Sequence, residues 1–100
     1  MSMSLSRALA ELSGCASEAR TRGVRALYLF GSTARDADRD GSDIDIFIEP
    51  DPVARFNAFD LIDVKTILEK RRAANVDLTT REGLHPRLRE RIEREAVQVF

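Results

Sequence analysis

One hundred residues, 43% hydrophobic and 33% charged, fit a single domain over residues 1–100 with material for one core and charge to coat it. A net charge of −1 and no block of five like charges argue against direct nucleic-acid binding. No apolar run nears the ~20 residues that span a bilayer. With no signal-peptide pattern and only Cys15 as a thiol, a cytoplasmic protein without membrane contact is expected.

In chain order, Leu5, Leu9, Leu12, Ala16 and Ala19 recur at steps of three and four, which predicts one amphipathic helix from about Ser4 to Thr21, ended by Gly23. Val24 to Phe30 is apolar at nearly every position and predicts a strand covered on both faces. Thr33 to Ser42 is polar, with a helical turn expected at Thr33–Asp36 and a loop at Asp40-Gly41. Ile44, Ile46 and Ile48 then alternate with Asp43, Asp45, Phe47 and Glu49. This is a strand with one aliphatic face and one carboxylate-bearing face, stopped by Pro50 and Pro52.

A long helix is expected from about Val53 to Arg72. Its apolar residues (Phe56, Phe59, Leu61, Ile62, Val64, Ile67 and Leu68) exceed a one-sided stripe, so either a partner surface or full burial would account for them. Asn75 to Thr79 predicts a third strand. A last helix begins near Pro86, with Arg87, Arg89, Arg91 and Arg94 set among Glu90, Glu93 and Glu95 as a solvated, ion-paired face. His85 is a helix-start surface residue, and Val97 to Phe100 either continues that helix or forms an edge strand. The 12-residue link between the first two strands is short for a crossover helix. The expected fold is therefore α+β, a small mixed three-stranded sheet packed with helices.

Three elements carry chemistry. Gly31 allows positive φ and removes the Cβ that would block a phosphate, and Ser32 adds a hydroxyl at the start of a helical turn. Asp43 and Asp45 lie one residue apart on a strand, so their Cα atoms sit about 6.5–7 Å apart on one face. Carboxylates so placed suit Mg²⁺, which takes oxygen ligands and shares substrate phosphates. Asp77 points away from the face of Val76 and Leu78. If the third strand neighbours the second, it joins the other two carboxylates, orients and deprotonates an attacking hydroxyl and shares the metal. Arg35 is placed either to approach a triphosphate or to pair with Asp36 or Asp38 on the surface.

Asp36, Asp38, Asp40 and Gly41 also match the opening of a calcium-binding EF-hand loop. That match fails at Asp43 and at Phe47, where a bidentate Glu is required.

Phe30-Gly31-Ser32-Thr33-Ala34-Arg35, Ser42 before Asp43-Ile44-Asp45, the later Asp77 and the tail Leu84-His85-Pro86 through Ile92 resemble the DNA polymerase β-like nucleotidyltransferase superfamily, in its minimal nucleotidyltransferase (MNT) branch. The resemblance covers nearly the whole chain. It implies a nucleotidyltransferase fold and an antitoxin that transfers AMP from ATP to a tyrosine of a partner HEPN-type ribonuclease toxin. Carried over by position, Gly31 and Ser32 hold the triphosphate with Arg35 and Ser42 beside them. Asp43 and Asp45 bind Mg²⁺, and Asp77 activates the acceptor and shares the metal. Two other functions fit the same residues: a non-catalytic antitoxin that blocks its toxin by contact, and a small-molecule nucleotidyltransferase.

Overall fold

The computed structural model describes residues 5–34, 44–72 and 75–100, and these form α1 (Leu5–Ser13), α2 (Ala16–Thr21), β1 (Val24–Phe30), α3 (Gly31–Ala34), β2 (Ile44–Pro50), α4 (Ala58–Arg72), β3 (Val76–Thr80), a 3-10 turn (Arg81–Gly83), α5 (Pro86–Glu95) and β4 (Val97–Gln98). The four strands lie in the order β3-β2-β1-β4. The β1–β2 and β1–β4 pairs are antiparallel and β2–β3 is parallel. The sheet is mixed, as expected, and has four strands instead of three. Val97-Gln98 supplies the extra edge, pairing with Leu29 and Tyr28, and the next residue holds it there as the Val99 amide donates to the Leu27 carbonyl at 2.8 Å.

Strand alternation divides the sheet into two chemically different faces. Leu27, Leu29, Ile44, Ile46, Ile48 and Val76 meet Ala8 and Leu12 of α1, Ala19 of α2, and Val64 and Leu68 of α4 in one continuous core. Burying a side chain of this size contributes roughly 1.5–3 kcal/mol, so this layer holds the helices to the sheet. Cys15 is buried in the same cluster, and burial raises its thiol pKa above the usual value, which keeps it a neutral packing group.

Two helix expectations need correction. The first helix breaks at Gly14-Cys15 into α1 and α2. The guanidinium of Arg71 packs against Gly14, where a Cβ would make it shift, and its Nε donates to the Glu11 carbonyl at 3.2 Å. The long helix starts at Ala58, five residues later than the apolar pattern implies. Residues 51–57 turn instead: Asp51 Oδ1 accepts from the Val53 amide at 3.0 Å, and Arg55 adopts φ +51°.

Asn57 then caps α4. Its Oδ1 accepts from the Phe59 and Asp60 amides at 2.9 and 3.1 Å, while Asp60 Oδ2 accepts from the Asn57 amide at 3.0 Å. This reciprocal cap contributes about 1 kcal/mol and fixes the helix start more strongly than the hydrophobic pattern did. On α4, Val64 and Leu68 are buried while Phe59 and Ile62 are 79% and 60% exposed, so full burial of its apolar residues does not hold.

Candidate active site

The second face of the sheet carries Tyr28 and Phe30 from β1, Asp45, Phe47 and Glu49 from β2, and Asp77 and Thr79 from β3, set by the register pairs Tyr28–Phe47, Phe30–Asp45, Asp45–Asp77 and Phe47–Thr79. The face is not uniformly carboxylate-bearing. Phe47 is 1% exposed, stacked on Tyr28 with ring centroids 4.8 Å apart and tilted against Phe30 at 5.7 Å. Phe47 cannot serve as a calcium ligand, and the EF-hand reading loses its last position.

Beyond this aromatic floor, where β1 ends and β2 and β3 begin, three sequence-predicted residues converge. Gly31 leaves β1 at φ +70°, a conformation L side chains avoid. A Cβ on Gly31 would overlap Asp45 Oδ2 and stand 3.2 Å from Asp45 Cγ. The turn and the carboxylate are thus in direct apposition, and only glycine leaves room for both. Asp77 lies beside Asp45 as its register partner on the parallel neighbour strand. The condition set on Asp77 is met: β3 does adjoin β2.

Asp45 is half-buried and Asp77 exposed. A cation between or beside two adjacent carboxylates is attracted by both. Their donor set is all carboxylate oxygen, which suits a hard divalent ion. Among the described residues no group of three metal-ligating side chains forms. Asp43, the third predicted carboxylate, lies outside the described residues, as do Arg35, Ser42 and the loop at Asp40-Gly41. Ser32 sits on α3, directly after Gly31.

His85 plays the helix-start part expected of it, its Nδ1 accepting from the Arg87 amide at 3.2 Å. The predicted ion pairs along α5 are present as Arg89–Glu93 at 3.0 Å and Arg91–Glu95 at 3.4 Å. Sequence reasoning missed Arg81, which lies over both the Tyr28 and Phe47 rings at 5.0 and 5.3 Å. Its signal was available, since four residues after Asp77 on a strand and turn is within reach of the same face.

A cleft of about 670 Å³ lies at the far end of β2, lined by Glu49–Pro52, Asn57, Leu61 and Arg89, and no residue of the Gly31–Asp45–Asp77 group lines it.

The nucleotidyltransferase domain family matches residues 9–99. The chain belongs to that family. A relative of this nucleotidyltransferase in Methanocaldococcus jannaschii, whose name provisionally makes it a protein adenylyltransferase, is 39% identical over 78 residues, 78% of this chain and 82% of its own. A solved structure provisionally described as a minimal nucleotidyltransferase superposes with a TM-score of 0.74 at 34% identity, covering 95% of each chain. The solved complex of a tri-AMPylated Shewanella oneidensis HEPN toxin with an MNT antitoxin gives a TM-score of 0.60 at 18% identity, covering 88% of this chain and 68% of that one. At that identity the likeness is one of fold.

Proposed function

We propose that this nucleotidyltransferase is an antitoxin that transfers AMP from ATP, with Mg²⁺, to a tyrosine hydroxyl of a partner HEPN-type toxin and so silences it. The observation that carries this reading is the side-by-side register of Asp45 and Asp77, with Asp45 packed on Gly31. The name of the M. jannaschii relative and the AMPylated toxin bound to an MNT antitoxin support the direction of transfer. No helix among the described residues is long and apolar enough to cross a membrane, and a cytoplasmic setting supplies the ATP.

In this account Gly31 and Ser32 bring backbone N–H groups against the triphosphate, with Arg35 and Ser42 beside them. Asp43, Asp45 and Asp77 would hold Mg²⁺, which when bound neutralises phosphate charge as it develops. Asp77 accepts the proton of the attacking hydroxyl as its oxygen bonds to the α-phosphorus, and the bond to the departing pyrophosphate breaks. Most of the catalysis is positioning and charge stabilisation, the usual economy of phosphoryl and nucleotidyl transfer. Asp77 is exposed and stands on an edge strand, so a hydroxyl carried on another protein reaches it from outside.

The test is the intact mass of a co-purified HEPN toxin after incubation with ATP and Mg²⁺. One or more adenylate masses should appear with the wild-type protein and none with Asp45→Asn. A complex that forms and neutralises the toxin without any mass gain, from a toxin not modified beforehand, would replace catalysis with direct binding. Turnover of a free small hydroxyl compound by the isolated chain would instead indicate small-molecule transfer.

A further inference from the structure

Arg81 occupies an unusual position for a residue outside the carboxylate cluster. Its guanidinium lies over the stacked Tyr28 and Phe47 rings and pairs with Glu49 of β2 at 3.4 Å and Glu93 of α5 at 3.5 Å. Its Nε is buried with no hydrogen-bond partner among the described residues. A buried unmade donor costs about 1–3 kcal/mol, so the placement calls for a compensating return.

That return lies in what Arg81 joins. It stands at the start of the 3-10 turn that links β3, the strand of Asp77, to α5. None of the residues of α5 is buried, so this helix has no core anchor of its own. Glu93 is instead held twice, by Arg81 and by Arg89. α5 also touches α3, the short helix that begins at Gly31.

We infer that Arg81 is a positioning residue for nucleotide: by clamping Glu93 to the aromatic floor it seats α5 against α3 and fixes the Gly31-Ser32 turn. Arginine suits the task because its planar cation stacks on rings while its N–H fork reaches two carboxylates, which a lysine ammonium does not reproduce. The inference rests on the nucleotidyltransferase reading of that turn, and it adds a residue that touches no substrate.

The experiment is a titration of the full chain with Mg²⁺ and AMP-PNP, a non-hydrolysable ATP analogue, by calorimetry, paired with thermal melting. Arg81→Met should weaken binding roughly tenfold, within the range by which a packed network couples a residue outside a site to that site. Arg81→Lys should recover only part of it. Glu93→Gln, at a partly exposed helix position that leaves the fold intact, should weaken binding in the same direction. Unchanged affinity in Glu93→Gln and Arg81→Met overturns the inference, as does a lower melting temperature with no change in affinity. A wild-type chain that binds no AMP-PNP overturns the nucleotide reading and this inference with it, whereas wild-type binding with indifferent variants removes the inference alone.

Discussion

Gly31→Ala should leave a folded protein that has lost nucleotidyl transfer. Holding alanine in a left-handed conformation costs about 1–2 kcal/mol, a loss that a single domain of this size survives. The larger effect is local. The new Cβ would occupy the space of Asp45 Oδ2, and the carboxylate is the part that can yield, being the far end of a side chain. Transfer should fall by about 10²-fold or more, because misplacing a reacting or coordinating group by an ångström costs on that order. Circular dichroism and melting check the fold, and initial rates of AMP transfer check the site. Wild-type rates in Gly31→Ala would mean that the apposition of turn and carboxylate has no part in the chemistry.

Asp77→Asn should separate binding from turnover. The substitution keeps the shape of an exposed side chain, so stability should change by less than about 0.5 kcal/mol, as at most surface positions. Removing a general base typically costs about 10²–10⁴-fold in rate, and the loss should appear in kcat. Affinity for ATP should hold within about threefold, since only one carboxylate of the proposed set is altered and the phosphate turn is untouched. Asp45→Asn should instead weaken both, because Asp45 is packed against the turn as well as beside Asp77. Stopped turnover with intact binding in Asp77→Asn, measured beside Asp45→Asn, would divide the two roles. Equal loss of ATP affinity in both variants would give Asp77 a binding role only.

The parts of the fold governed by strand alternation were legible from the residues. Ile44, Ile46 and Ile48 against Asp45 and Glu49 state two faces, and the period of two cannot be read otherwise without burying carboxylates in the core. What pattern alone could not show was where long-range contacts overrule local order. The first helix breaks at Gly14-Cys15, where the guanidinium of Arg71, far along the chain, packs against the glycine. The α4 start moved to Ala58 because Asn57 and Asp60 form a capping box, a local signal hidden behind the apolar residues Val53 and Phe56. For Val97 to Phe100 the residues allowed either a helical continuation or an edge strand, and the unpaired edge of β1 decided for the strand.

The candidate site followed the same division. Gly31 and Asp45 could be chosen from residue type and spacing, and Asp77 from its parity with Val76 and Leu78, since each is a property of one element. Their convergence depends on β3 lying beside β2, a matter of topology. Arg81 shares the parity of Asp77, a legible signal, but its partners, two rings and two carboxylates on other elements, lie outside any local pattern.

The most direct test of the central claim is to incubate the wild-type chain and the proposed HEPN-type toxin partner with Mg²⁺ and ATP labelled at either the α- or the γ-phosphate. Transfer of AMP predicts that the α-label becomes fixed to the toxin while the γ-label leaves as pyrophosphate, and that neither is fixed with Asp45→Asn. Label fixed from the γ-phosphate, or α-label fixed equally by Asp45→Asn, would contradict the account.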